Sequence, residues 1–100
     1  MFMNCEAPNM LELITVYSTQ EQYYLSKIVV NPDFISLIKP FNEYDNALRE
    51  GKMNLNFDES VRFSEITMSG RGGFEKYIVV GSPIQIKEKL TKGKIQLLRD

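Results

Sequence analysis

Four groups of residues in this chain of 100 have types and spacing that could carry chemistry. In Ser69-Gly70-Arg71-Gly72-Gly73, successive backbone N–H groups could nest an anion. A phosphate loop also needs a lysine and a Ser/Thr at the start of the next helix, and Phe74-Glu75 supplies neither. The expected role is a plain hairpin turn, with Arg71 as an exposed recognition residue the alternative. Asp58-Glu59, with Glu43 and Asp45 nearby, could be paired carboxylates or calcium ligands. Acid–base work needs two carboxylates in distinct, partly buried surroundings, and a calcium loop needs oxygens at a fixed spacing that closes on a glutamate. Neither pattern is present, so solvated loop charges are expected. Tyr17, Tyr23, Tyr24 and Tyr77, with Phe63 and Phe74, could stack nucleobases if they lay in a basic groove. The first hairpin offers Lys27 alone, which favours core packing with one or two exposed tyrosines. Lys87, Lys89, Lys92, Lys94 and Arg99 form a basic cluster suited to an acidic protein patch or nucleic acid, or simply to the outer face of a helix.

Absences exclude more than these groups assert. Cys5 is the one cysteine and there is no histidine. An intramolecular disulfide, a Cys/His zinc site and any nucleophile served by an imidazole base are therefore ruled out within one chain. Cys5 sits beside Glu6, which does nothing to lower a thiol pKa. No cofactor or metal site is expected, and the protein is expected not to be an enzyme. A formal net charge of −1 gives no global attraction to nucleic acid or an anionic membrane. The charge is nonetheless uneven: residues 41–60 carry five acidic against two basic side chains, and residues 71–100 carry seven basic against three acidic. No apolar run approaches the roughly 20 residues a membrane helix needs. Met1-Phe2-Met3-Asn4-Cys5 lacks the basic start and long apolar stretch of a signal peptide. The expectation is a cytoplasmic protein without membrane insertion.

The elements that must position these groups follow from periodicity and breakers. Residues 1–10, interrupted by Pro8-Asn9, are expected to be a flexible start. Leu11 to Tyr17 and Tyr23 to Val30 read as two strands of a hairpin around the polar residues 18–22. Asn31-Pro32-Asp33 stops the second strand. Phe34 to Phe41 reads as a third strand or a helical turn leading into one. The strand is favoured, with Ile35, Leu37 and Lys39 on one side and Phe34, Ser36 and Ile38 on the other. Tyr44 to Glu50 reads as a short helix that ends at Gly51 and is anchored by Leu48. Met53, Leu55 and Phe57 alternate with polar residues and predict a short edge strand.

Val61 to Met68, the glycine turn, and Phe74 to Val80 then predict a second hairpin, with a bulge or bend near Ser64-Glu65. Ser82 is a good N-cap and Pro83 fits the first helical position. Ile84, Ile86 and Leu90 form the apolar side of the helix, Lys87, Lys89 and Lys92 the wet side, and Gly93 its stop. Ile95, Leu97 and Leu98 make a tail that adds a strand or docks on a partner. Residues 11–92 thus form one β-rich domain with an insertion at 41–60 and a tail at 93–100. The expected fold is mainly β: a small antiparallel SH3-like half-barrel with one C-terminal helix.

Ile66-Thr67-Met68, the glycine turn, Tyr77-Ile78-Val79-Val80 and Ser82 before an amphipathic helix resemble the small FlbD/SwrD-type motility proteins and similar short bacterial and phage proteins. Leu13 to Tyr17, Tyr24 to Val30, and then Asn31, Asp33, Ile35 and Ile38 follow in the order of that family. The chain departs from it in residues 41–60, in Gly70-Arg71-Gly72-Gly73 where Asn-Gly is usual, and in Gly81 where glutamate precedes the serine. The resemblance covers about two-thirds of the chain and rests on structural motifs. It implies a non-enzymatic, protein-contacting role in a host or motility-type complex. The candidate contacts are Arg71, Tyr23, Tyr24, Lys87, Lys89, Ile95, Leu97 and Leu98, with a homodimer through a free sheet edge as one form of contact. A small nucleic-acid-binding protein using the C-terminal basic face is the alternative.

Overall fold

The computed structural model describes residues 10–20 and 22–99, with side chains as far as Thr91. The expected flexible start, Cys5 included, lies outside the described residues, apart from Met10. Strands β1 (Leu11–Thr19) and β2 (Gln22–Val30) form the first hairpin, in register from Leu11 opposite Val30 to Thr19 opposite Gln22. A 3-10 turn at Pro32–Phe34 leads to β3 (Ile35–Pro40) and helix α1 (Asn42–Arg49). After an extended crossing segment come β4 (Phe63–Gly70), β5 (Gly73–Val80) and helix α2 (Pro83–Arg99).

The sheet order is β2-β1-β5-β4-β3, antiparallel throughout. Asn31 to Phe34 alone join the two edge strands. Five backbone steps span at most about 18 Å, and a 3-10 turn shortens that, whereas the four strand gaps of a flat sheet measure about 19 Å. The sheet therefore curls at this end and gathers Val30, Ile35 and Ile38 into one cluster with Leu13, Ile66, Val79 and Ile86. β2 and β3 do not pair. This corrects the expected half-barrel: the architecture is α+β, a five-strand antiparallel open sheet not closed into a barrel, with two helices, α2 and the short α1 expected over Tyr44 to Glu50.

Strand alternation splits the core into two layers. On the face bearing Leu13, Ile66 and Val79, α2 inserts Ile86. On the other face, α1 and the crossing segment pack Ala47, Leu48, Met53, Leu55 and Phe57 against Val16, Phe63, Ile78 and Val80. Gly51, at φ +75, closes α1 with N–H bonds from Gly51 to the Leu48 carbonyl and from Lys52 to the Ala47 carbonyl.

Several local expectations are corrected. Residues 53–57 form no strand: the segment crosses the sheet face instead of running along an edge, and its alternation buries Met53, Leu55 and Phe57 in the second layer. The bulge lies in β3, between Ile35 and Leu37, and not near Ser64-Glu65, where β4 and β5 pair without interruption. That extra residue brings Ile35 and Ile38 onto the same core face and leaves Leu37 exposed. In α2, Ile84 faces solvent, and the helix continues through Gly93, because a glycine without a left-handed turn costs only about 1 kcal/mol in a helix. Ile95, Leu97 and Leu98 are thus helical, and their side chains lie outside the described residues.

The start of α2 matches the sequence closely. Gln85 N–H donates to Ser82 Oγ, and Ser82 N–H donates to Gln85 Oε1, a capping box with Pro83 behind it. Gly81 before it adopts φ +125, and a Cβ there would stand 3.1 Å from Ile86 Cδ1. Gly81→Ala is expected to destabilise the protein by about 1–3 kcal/mol through backbone strain, measured as a lowered urea midpoint. An unchanged midpoint would mean the hinge between β5 and α2 is not held in this conformation.

Candidate functional site

The sequence candidates do not converge. Arg71 and Gly72 form the two-residue turn between Gly70 and Gly73, at the same end of the sheet as the first hairpin's turn. Lys87 and Lys89 lie beyond the other end of β5, about 26 Å away along its eight residues. The residues of the glycine turn line a shallow cavity of about 270 Å³, at which Arg71 is the one cation and Glu75 the one anion.

Tyr23 and Tyr24 point to opposite faces. Tyr23 is half-buried and meets Tyr44 edge-to-face at 5.2 Å; Tyr44 in turn meets Phe41 at 4.8 Å and Phe63 at 5.8 Å. Its role is to join the crossing segment and α1 to the sheet. Tyr24 stacks on Tyr17 across the hairpin, with centroids 5.5 Å apart, and both are partly exposed. Tyr77 shares that face and donates its hydroxyl to Glu75 Oε1 at 2.9 Å, which raises the phenol above its ordinary value. Among the described strand residues on this face, Glu75 carries the one charge. A tyrosine platform of this sign repels a phosphate backbone.

The carboxylates do not make a reactive pair. Asp58 accepts the Ser60 N–H at 2.8 Å, a bond that holds its carboxyl below the ordinary range, and it is fully exposed. Asp45 corrects the expectation of solvated loop charges: it is buried in α1, and its Oδ1 accepts the Phe63 N–H at 2.9 Å, so it fixes α1 to β4. No group of three or more Asp, Glu, Cys or His side chains among the described residues could hold a metal ion. No described helix is long and apolar enough to cross a membrane.

The open surface with a continuous chemistry is one the sequence reading did not single out. On the second sheet face, beyond the cover of α1, Ile14, Leu25 and Val29 are 39%, 43% and 60% exposed. Ile14 stands opposite Lys27, with Leu25 and Val29 as its diagonal neighbours. Lys27 Nζ lies 3.5 Å from Glu12 Oε2 across the hairpin. Lys89 of α2 closes the far side of a shallow cavity of about 190 Å³ lined by Glu12, Ile14, Lys27 and Val80. A neighbouring cavity of about 340 Å³ at the start of α2 shares Val80 and Lys89. Lys89 is therefore the sequence candidate that joins this surface. The missed signal was present in β2: Ile28 and Val30 supply one core face, so the apolar Leu25 and Val29 on the other needed a cover of their own.

This strip borders the outer edge of the sheet. Tyr23 N–H donates to Asn54 Oδ1 at 2.7 Å, and Asn54 Nδ2 donates to the Tyr23 carbonyl at 3.3 Å, so the polar groups of Tyr23 point away from β1. By alternation, those of Leu25, Lys27 and Val29 point the same way, and no described residue bonds to them. The opposite edge, β3, is blunted by its bulge and by Pro40.

Compared with known proteins, the chain matches no family model, no curated protein and no solved structure.

Proposed function

We propose that this protein is a non-catalytic protein-interaction module that docks a partner on the open β1–β2 face. The observation that carries this is the contiguous Ile14, Leu25 and Val29 surface, left uncovered by the described parts of both helices and bordered by a strand edge to which no described residue bonds at Leu25, Lys27 and Val29. Contiguous apolar surface beside charged residues is how docking sites differ from ordinary exposed side chains. The setting, the cytoplasm of a bacterium or of a phage-infected cell and a host or motility-type complex, rests on the resemblance to FlbD/SwrD-type proteins. Charge supports docking over the nucleic-acid alternative: the stacked tyrosines lie with Glu75, while the lysines of the other face alternate with Glu12 and Glu65.

The test is affinity capture from the native host with the wild type, with Leu25→Ser/Val29→Ser, and with Arg71→Ala. The exposed serine pair is expected to cost little stability, to be checked by its melting temperature. A specific partner should be retained by the wild type and Arg71→Ala, and lost at least tenfold by the serine pair. Equal capture by all three contradicts the reading. Retention on single-stranded DNA that falls steeply between about 50 and 200 mM salt favours the alternative.

A further inference from the structure

The geometry points to strand addition at the outer edge of β2: the partner contributes an extended segment whose alternate residues are apolar, acidic and apolar. This deepens the docking reading and rests on it. An added strand takes its affinity from main-chain hydrogen bonds and its specificity from the side chains on one face. The main-chain groups are those of Leu25, Lys27 and Val29, which point away from β1 and meet no described partner. The chain itself shows the chemistry at the next position, where the Asn54 amide both donates to and accepts from the Tyr23 backbone as a peptide group would.

Side chains on the docking face set the pattern. Leu25 and Val29 flank Lys27 at a spacing of two, so three consecutive same-face positions of an incoming strand meet apolar, cationic and apolar neighbours. Around the adjoining cavity Lys27 and Lys89 outnumber Glu12, and among the described residues Lys89 has no carboxylate partner. An acidic side chain opposite Lys27 therefore completes a two-to-two arrangement. The same charge argues against a second copy: the antiparallel self-pairing that uses all three open positions sets Lys27 against Lys27, and like charges directly opposite destabilise a ladder.

The probe is an acetylated peptide of about nine residues with Val-Thr-Glu-Thr-Val at its centre and threonine elsewhere. It is titrated into the full chain by isothermal titration calorimetry, with amide hydrogen exchange as the site readout. Three changes are expected. The amides of Leu25, Lys27 and Val29 gain protection on binding; replacing the peptide's Glu with Lys weakens binding about tenfold; and N-methylating the Val, Glu and Val residues abolishes it. Strand addition is overturned if the N-methylated or lysine peptide binds as well as the parent, if protection arises elsewhere, or if about 1 mM peptide does not bind. It is also overturned if the three amides gain protection with protein concentration alone, which marks a second copy as the occupant. If it falls while the serine pair still loses the captured partner, docking on the face stands without main-chain pairing; if the serine pair retains the partner, the docking reading itself falls.

Discussion

Phe63→Ala is expected to cost about 3–5 kcal/mol, a large part of the 5–15 kcal/mol that holds a domain of this kind. The side chain is fully buried. Its ring stands edge-to-face to Tyr44 at 5.8 Å and to Phe57 at 6.1 Å, within the layer formed by Val16, Ala47, Leu48 and Met53. Those neighbours come from β1, α1 and the crossing segment, so no single element can collapse into the space left behind. The Phe63 carbonyl also accepts the Phe41 N–H at 2.9 Å, which fixes the entry to α1. Urea unfolding should show the loss with an unchanged slope, and Phe63→Leu should recover most of it. A loss below about 1 kcal/mol for the alanine variant would mean that α1 is not packed on the sheet. The limit of the open strip at Ile14 and Leu25 would then be misplaced.

Asp45→Ala is expected to cost about 2–3 kcal/mol, because it strands the buried Phe63 N–H that Asp45 Oδ1 accepts at 2.9 Å. Asp45→Asn keeps a carbonyl oxygen at the same place and should cost no more than about 1 kcal/mol. The contrast separates the two roles that an acidic residue in the first turn of α1 could have. If the helix dipole were its main partner, alanine and asparagine would lose similar, small amounts. If the bond to β4 dominates, they differ by a kcal/mol or more in equilibrium unfolding. Asp45 thus belongs to the scaffold: it places α1 so that one half of the sheet face is covered and the Leu25–Val29 half is left open.

Local chemistry was the legible part of this fold. Both hairpins, the Gly51 stop of α1 and the Ser82-Pro83 start of α2 depend on residues within a few positions of each other, and the sequence names those residues directly. Longer-range outcomes were not legible in the same way. Met53, Leu55 and Phe57 have the alternation of a strand, but period two records which side chains share a side, not whether a neighbouring backbone is there to pair. At Ile35 and Ile38 a single bulge reverses the face of every residue beyond it, and no local residue type announces it. Half-barrel closure failed for a related reason: it needs β2 and β3 to pair, which depends on the curl of the whole sheet.

The candidate site was legible only in fragments. Tyr23 and Tyr24 are adjacent and chemically alike, yet one joins an aromatic cluster and the other stacks on an open face. Arg71 was correctly placed in a turn, but it stands apart from Lys87 and Lys89. Leu25 and Val29 were overlooked because an apolar strand residue is ordinarily a core residue. Only the position of α1 reveals that the insertion leaves them exposed.

Amide hydrogen exchange of the free protein at low micromolar concentration shows whether the β2 edge is open. With an open edge, the amides of Leu25, Lys27 and Val29 are expected to exchange nearly as fast as an unstructured peptide. Those of Tyr24, Ser26 and Ile28, which point into the β1 ladder, should be slowed by orders of magnitude. Equal protection of both sets would contradict it, for the edge offered to a partner would already be occupied.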